Sequence, residues 1–143
     1  MNERSQQIPQ LIDDSLEWLA ERVGDPGPDL YRALFEAAPE LPDLFVLDTD
    51  GSVRGEMLYR AFETLRDLAA DKNFAADALG LEVRNHLGYG VPIARFALFF
   101  DLIADACLRA AGSDWTAAHA WAWQTLRARV DAVVAEAVAV HGG

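Results

Sequence analysis

The segment best suited to chemistry is Val83–Val91, V-R-N-H-L-G-Y-G-V, which contains one histidine. Helical spacing places His86 near the end of a helix, because Gly88 and Gly90 both disfavour its continuation. Pro92 then suits the first turn of a following helix. The pattern predicts a sharp helix–corner–helix with one imidazole at the rim of whatever the corner covers. A neutral imidazole is a good ligand for iron, although the same spacing also fits a histidine packed near a helix end.

The composition of the chain excludes several classes of function. A length of 143 residues with 52% hydrophobic residues predicts one globular domain spanning residues 1–143. The net charge of −11 argues against binding to nucleic acid or to an anionic membrane surface, since both need a basic patch. Cys107 is the single cysteine, so an internal disulfide and a multi-cysteine metal cluster are excluded. Its apolar neighbours predict a buried thiol.

No targeting segment is visible in the sequence. The first residues, M-N-E-R-S-Q-Q, are polar and no apolar core follows them, which argues against a secretory signal. The most apolar stretch, Ile93–Leu108, contains Arg95, Asp101 and Asp105, and these charges argue against a membrane span. We therefore expect a cytoplasmic protein with no membrane association.

Apolar residues at helical spacing dominate the chain and predict an all-α fold. The first stripe runs from Ile8 to Val23, and Ser52 is expected to cap the third helix. No segment shows the sustained alternation of a strand. Breaks between helices are predicted where glycine, proline and short polar residues cluster, at residues 24–28, 39–42, 48–52, 71–73 and 112–114.

Five separated motifs occur in one order along this helical pattern. They are L-Y-R-A-L-F-E-A-A-P-E-L at 30–41, L-F at 44–45, G-E-M-L at 55–58, R-N-H-L-G-Y-G-V at 84–91, and D-W-T at 114–116 with Trp123 beyond it. Together they resemble the globins, specifically bacterial single-domain haemoglobins and the globin domain of flavohaemoglobins. The resemblance covers about residues 10–140 and implies a globin fold, a helical sandwich around a pocket for haem b.

The resemblance implies a role for several residues that would contact the haem. His86 matches the residue whose Nε2 binds the iron, and its Nδ1–H is expected to point to a carbonyl about one turn back. Phe45 matches the aromatic residue that packs on the haem face. Val91, Phe96 and Leu58 are also expected against the cofactor.

The resemblance also implies three residues on the distal side. Tyr31 matches a tyrosine whose hydroxyl donates a hydrogen bond to bound dioxygen, and Leu58 matches the apolar residue above the iron. Arg54 falls where the family usually has glutamine or histidine, in a region where the alignment can shift by one residue. Its guanidinium can face the ligand, where it would favour anions, or it can reach a haem propionate or solvent. His119 and His141 are expected at the surface.

Two departures from the family bear on activity. A tyrosine and a glutamate of the family polarise the proximal histidine, but here the tyrosine position holds Phe96. The glutamate position falls near Val138, with Glu136 two residues early. These differences weaken the prediction of nitric-oxide dioxygenase or haem peroxidase activity.

The resemblance then implies reversible binding of dioxygen or other diatomic ligands, for oxygen storage, delivery, transport or scavenging. Residues 1–143 include no reductase domain, so an external reductase is expected to reduce the haem. An enzyme working with such a reductase and a gas-sensing or interaction module remain the alternatives. A monomer and a homodimer are both compatible with the sequence.

Overall fold

The computed structural model describes the backbone of residues 3–142 and the side chains of residues 6–139. Within residues 3–142 the chain forms six α-helices and two short 3-10 helices, and no strand. The α-helices are α1 (Glu3–Val23), α2 (Gly27–Ala37), α3 (Ser52–Ala69), α4 (Ala75–Gly88), α5 (Ile93–Ala111) and α6 (Ala117–Gly142). The 3-10 helices are Leu41–Phe45 and Gly112–Asp114. The predicted all-α class is confirmed.

The breaks between helices fall where the sequence predicts them, and glycine geometry explains two of them. Gly24 follows α1 with φ of +83°, and Gly112 follows α5 with φ of +54°, which are conformations that favour glycine. Arg22 secures the second break, because its Nη1 donates to the carbonyls of Ala110 and Ala111 at 3.0 Å. Both carbonyls belong to the last turn of α5, where the α-helix offers no further N–H donors.

The core forms around α1, which packs against α3, α5 and α6. The predicted stripe on α1 is buried at Ile8, Ile12, Leu16 and Leu19 and half-buried at Leu11, whereas Val23 at its end is 44% exposed. Cys107 on α5 is fully buried as predicted, and burial raises the pKa of its thiol to about 12. No helix in residues 3–142 is both long enough and apolar enough to cross a membrane.

One polar pair lies inside this core, between α1 and α6. The indole Nε1–H of Trp123 donates to Ser15 Oγ at 3.0 Å, and both residues are buried. The Ser15 hydroxyl in turn donates to the Leu11 carbonyl at 2.8 Å. Each buried hydrogen-bonding group of the pair therefore has a partner.

The prediction that His119 lies at the surface is wrong. His119 is buried, with its ring 4.9 Å from the Trp18 ring and 5.7 Å from the Trp115 ring. Its Nδ1 accepts the backbone N–H of Thr116 at 3.2 Å, while Thr116 Oγ1 accepts the N–H of His119 at 3.3 Å. This is a reciprocal cap on the start of α6, with histidine in the place that glutamate usually takes. The side chain of His141 lies outside the described residues.

Candidate functional site

A cavity of about 410 Å³ opens between α3, α4, α5 and the 3-10 helix Leu41–Phe45. Its volume is within the range of sites that bind small molecules and cofactors. The walls are mainly apolar and come from all four elements. They include Val53, Met57, Ala61 and Thr64 of α3, Leu79, Glu82 and His86 of α4, Phe96, Phe99 and Phe100 of α5, and Leu41, Leu44 and Phe45 of the 3-10 helix.

His86 lines this cavity from the last turn of α4. Its Nδ1 lies 2.7 Å from the carbonyl oxygen of Glu82, one turn back. Because a carbonyl can only accept, Nδ1 carries a hydrogen, and in the neutral ring Nε2 then keeps its lone pair. Nε2 has no hydrogen-bonding partner among residues 6–139. The predicted bond to a carbonyl one turn back is confirmed, and it leaves one nitrogen free to bind a ligand.

The corner after α4 holds the backbone of His86 in place. The N–H groups of Tyr89 and Val91 both donate to the His86 carbonyl, at 3.1 and 3.0 Å. Gly90 takes φ of +86°, a conformation that side chains resist, so the predicted corner depends on glycine here. The chain then turns into α5 at Pro92, which immediately precedes its first residue.

Three of the residues expected to contact the cofactor lie together with His86 in the structure. Phe45, Val91 and Phe96 line the same cavity as His86. The Phe96 ring meets the imidazole edge-on, with the ring centroids 5.0 Å apart. Phe96 is buried and offers no hydrogen-bonding group, so it restrains the imidazole by packing alone.

Tyr31, by contrast, does not line the cavity. Its hydroxyl donates to the backbone carbonyl of Arg54 at 2.8 Å. The ring is buried against Phe35, Phe45 and Phe99, at centroid distances of 5.4–5.9 Å. Burial raises the pKa of the phenol, so the hydroxyl keeps its proton across the physiological range. The structure thus places the expected donor behind the cavity wall.

Arg54 also lies outside the cavity lining, because Asp48 binds its side chain. The guanidinium donates from Nε to Asp48 Oδ2 at 3.0 Å and from Nη2 to the Asp48 carbonyl at 3.1 Å. The Asp48 carboxylate also accepts the backbone N–H groups of Val53 and Arg54, both at 3.0 Å. Desolvation raises the pKa of Asp48, but these donated hydrogen bonds and the nearby guanidinium outweigh it and lower the pKa overall.

The same contacts correct the expected cap of α3. Ser52 is the first residue of the helix, and the position before it is Gly51 at φ of +78°. Asp48 supplies the carboxylate that accepts the first N–H groups of the helix, as an N-cap residue would. The Asp50 carboxylate accepts the Ser52 N–H at 3.0 Å. The start of α3 is therefore held by acidic residues of the preceding loop.

Leu58, the third residue expected on the distal side, is buried outside the cavity lining and faces Gly27 of α2. Val53 and Met57 line the cavity instead. They immediately precede the two expected residues of α3, Arg54 and Leu58. Sequence reasoning missed these two residues. The sequence contains a pattern that could have indicated them, because Val53, Met57 and Ala61 are apolar residues spaced four apart. This series is shifted by one residue from the expected pair, Arg54 and Leu58.

The rim of the cavity carries charges of both signs. Arg60 Nε lies 3.2 Å from Glu56 and its Nη1 lies 3.9 Å from Glu82, with the arginine side chain 63% exposed. Arg95 Nε lies 2.8 Å from Glu40. Because these pairs are solvent-exposed, their partners can be exchanged at little cost in free energy. The two guanidiniums are thus available to a ligand that carries carboxylates.

The residues present are chemically compatible with haem b. A haem needs one axial nitrogen, an apolar slot for its ring and cationic partners for two propionates. His86 could supply the axial nitrogen, the aromatic walls could enclose the ring, and Arg60 and Arg95 could pair with the propionates.

Among residues 6–139 no side-chain carboxylate is hydrogen-bonded to His86. Glu136 lines a separate depression with Arg84, and Val138 is 37% exposed. Phe96 stands in the tyrosine position, so the hydrogen bond to Nδ1 comes from a neutral backbone carbonyl alone. Comparisons with protein-family models, with curated proteins and with solved structures found no match.

Proposed function

We propose that this protein binds haem b through His86 and that the bound iron takes up diatomic gas molecules reversibly. The observation that carries the proposal is the state of His86. Its Nδ1–H is engaged by the Glu82 carbonyl, and its Nε2 is free on a residue that lines an apolar cavity. A histidine that served packing alone would not need an adjacent cavity of about 410 Å³.

The chain's own residues would hold the cofactor in three ways. His86 would supply the axial nitrogen in a fixed tautomer, since the carbonyl bond settles which nitrogen carries the hydrogen. Phe45 and Phe99 would form dry walls beside the ring, and exclusion of water protects a reduced iron from oxidation. Arg60 and Arg95 would pair with the propionates at the rim. When bound, haem supplies the iron centre to which a diatomic ligand attaches.

The resemblance to globins supports the same proposal. The all-α fold, the corner after His86 and the presence of Phe45 in the cavity agree with what the resemblance implies. The proximal contacts favour binding over the nitric-oxide dioxygenase or peroxidase alternative. A neutral carbonyl orients the imidazole but does not give it the anionic character that assists cleavage of an O–O bond.

Titration of the haem-free protein with haemin tests the proposal. We expect one equivalent to bind with a sharp Soret band, and His86→Gly to weaken binding at least tenfold. Imidazole added to His86→Gly should restore the wild-type band, because it can occupy the space left by the side chain. Asn85→Ala is the matched control, since Asn85 is exposed on the same turn of α4 and should leave the titration unchanged.

Far-UV circular dichroism of each variant verifies that the helices persist. A His86→Gly protein that keeps the wild-type spectrum and affinity without added imidazole refutes the assignment of the axial ligand. A wild-type protein that shows no Soret band at any haemin concentration refutes haem binding itself.

A further inference from the structure

We propose that the cavity selects ligands that need no hydrogen-bond donor, such as carbon monoxide or nitric oxide, over dioxygen. This inference rests on the proposed function, because it concerns the ligand of the same haem site. It departs from the expectation that Tyr31 and Arg54 stabilise bound dioxygen.

The first observation is that the Tyr31 hydroxyl is already in use. A phenol has one hydrogen to donate, and here it goes to the Arg54 carbonyl at 2.8 Å. Three aromatic neighbours hold the ring, at centroid distances of 5.4–5.9 Å. Turning the hydroxyl towards the cavity would break the bond and disturb this packing. Tyr31 therefore positions the first turn of α3 and does not contact a ligand.

The second observation is that the Arg54 charge is neutralised within the wall. Its guanidinium binds both the carboxylate and the carbonyl of Asp48. The Asp48 side chain is only 3% exposed, so moving Arg54 into the cavity would leave a buried carboxylate without its cation. An anionic ligand would accordingly find no fixed positive charge from this residue.

The third observation is what α3 presents in place of these groups. Val53, Met57 and Ala61 line the cavity, and none of their side chains carries an N–H or O–H. Three other residues on this wall carry donors. Ser52 and Thr64 lie about 8 and 10 Å along the helix axis from Met57, at a rise of about 1.5 Å per residue. Arg60 is 63% exposed at the rim, where its guanidinium pairs with Glu56 and Glu82. The apolar stretch formed by Val53, Met57 and Ala61 therefore offers no donor to a ligand.

The consequence differs between ligands. Dioxygen gains negative charge when it binds ferrous haem, and a donor beside it strengthens binding by roughly tenfold or more. Carbon monoxide stays nearly uncharged and gains little from the same donor. A ligand position beside an apolar wall without donors thus lowers the affinity for dioxygen while leaving that for carbon monoxide almost unchanged.

Ligand dissociation rates of the haem-loaded protein test this inference. Tyr31→Phe should leave the dioxygen dissociation rate within about twofold of wild type, because the hydroxyl does not reach the ligand. Val53→Gln adds an amide donor to the cavity wall and should slow dioxygen dissociation about tenfold, while carbon monoxide dissociation changes less than threefold. Val53→Leu is the control, since it changes volume without adding a donor.

A second readout needs no haem. In the haem-free protein Tyr31→Phe should raise the unfolding equilibrium constant about fivefold, through loss of the bond to the Arg54 carbonyl. A tenfold faster loss of dioxygen in Tyr31→Phe, or equal slowing of both gases in Val53→Gln, overturns this inference while the haem site stands. Absence of a Soret band in the wild-type protein overturns the proposed function and this inference together.

Discussion

Replacing Ser15 with alanine tests how α1 packs on α6. The change removes the hydroxyl that accepts the Trp123 indole N–H at 3.0 Å, and the indole nitrogen stays in a buried environment. The Leu11 carbonyl loses only a second donor, because it also serves the helical ladder of α1. The perturbation therefore isolates one unpaired buried donor.

The expected loss of stability follows from two opposing contributions. Leaving a buried N–H without a partner costs about 2 kcal/mol. Alanine has the higher helix propensity and offsets about 0.5 kcal/mol of that loss. The net destabilisation is about 1.5 kcal/mol, which lowers the thermal midpoint of a chain of this size by about 5 °C.

A double-mutant cycle with Trp123→Phe provides the assay. Urea unfolding followed by circular dichroism gives the unfolding free energy of the wild type, both single variants and the double variant. In the Trp123→Phe background no indole N–H remains, so Ser15→Ala should cost less than about 0.5 kcal/mol there. If Ser15→Ala costs the same in both backgrounds, the hydrogen bond does not contribute and the reasoning is refuted.

Three further predictions concern other parts of the molecule. The pKa of Asp48 is lowered in the folded state, so its contribution to stability is present above the ordinary carboxyl pKa and is lost as the pH falls through the lower, folded pKa. Asp48→Asn should therefore flatten the acid side of the stability–pH profile, and an unchanged profile would contradict this. Gly112→Ala should destabilise the fold by about 1–3 kcal/mol in urea unfolding, because its φ is +54°. Gly55→Ala, inside α3 with open space around it, should instead raise the free energy of unfolding by about 0.5–1 kcal/mol. If the two substitutions change stability equally, backbone strain at Gly112 is excluded. Burial raises the pKa of Cys107 to about 12, so iodoacetamide should label it only after unfolding, and rapid labelling of the native protein would show the thiol to be accessible.

Features that depend on local geometry were predictable from the sequence. The helix breaks follow from clusters of glycine, proline and short polar residues, and the all-α class follows from apolar spacing. The bond from His86 to the Glu82 carbonyl was also predictable. In an α-helix the carbonyl four residues back lies on the same face as the side chain, so a ring that turns towards its own helix finds that acceptor.

The register of α3 was not predictable in the same way. The pairs Val53–Met57 and Arg54–Leu58 both have a spacing of four, and the two faces differ by only about 100° around the helix. The contacts of Asp48 with the first backbone N–H groups and with the Arg54 side chain help to hold the helix in the observed register. Asp48 reaches them across a loop whose shape no local rule specifies.

The burial of His119 had a different cause. Alanines flank it in the sequence, which gives no local sign of a core position. Its surroundings are provided by Trp18, which lies far earlier in the chain, and by Trp115 before the start of α6. The contact between α1 and α6 is a tertiary one, and periodicity within α6 alone could not indicate it.

The hydrogen bond of His86 has a consequence for how a cofactor would leave. The Glu82 carbonyl that orients the ring is also the acceptor for the backbone N–H of the same residue in a regular helix. Fraying of this single terminal turn would therefore turn the imidazole away while the core around α1 stays folded. Cofactor release and global unfolding then become separate events with separate barriers. The lifetime of the loaded protein would be governed by the end of α4, and a more stable core would not lengthen it.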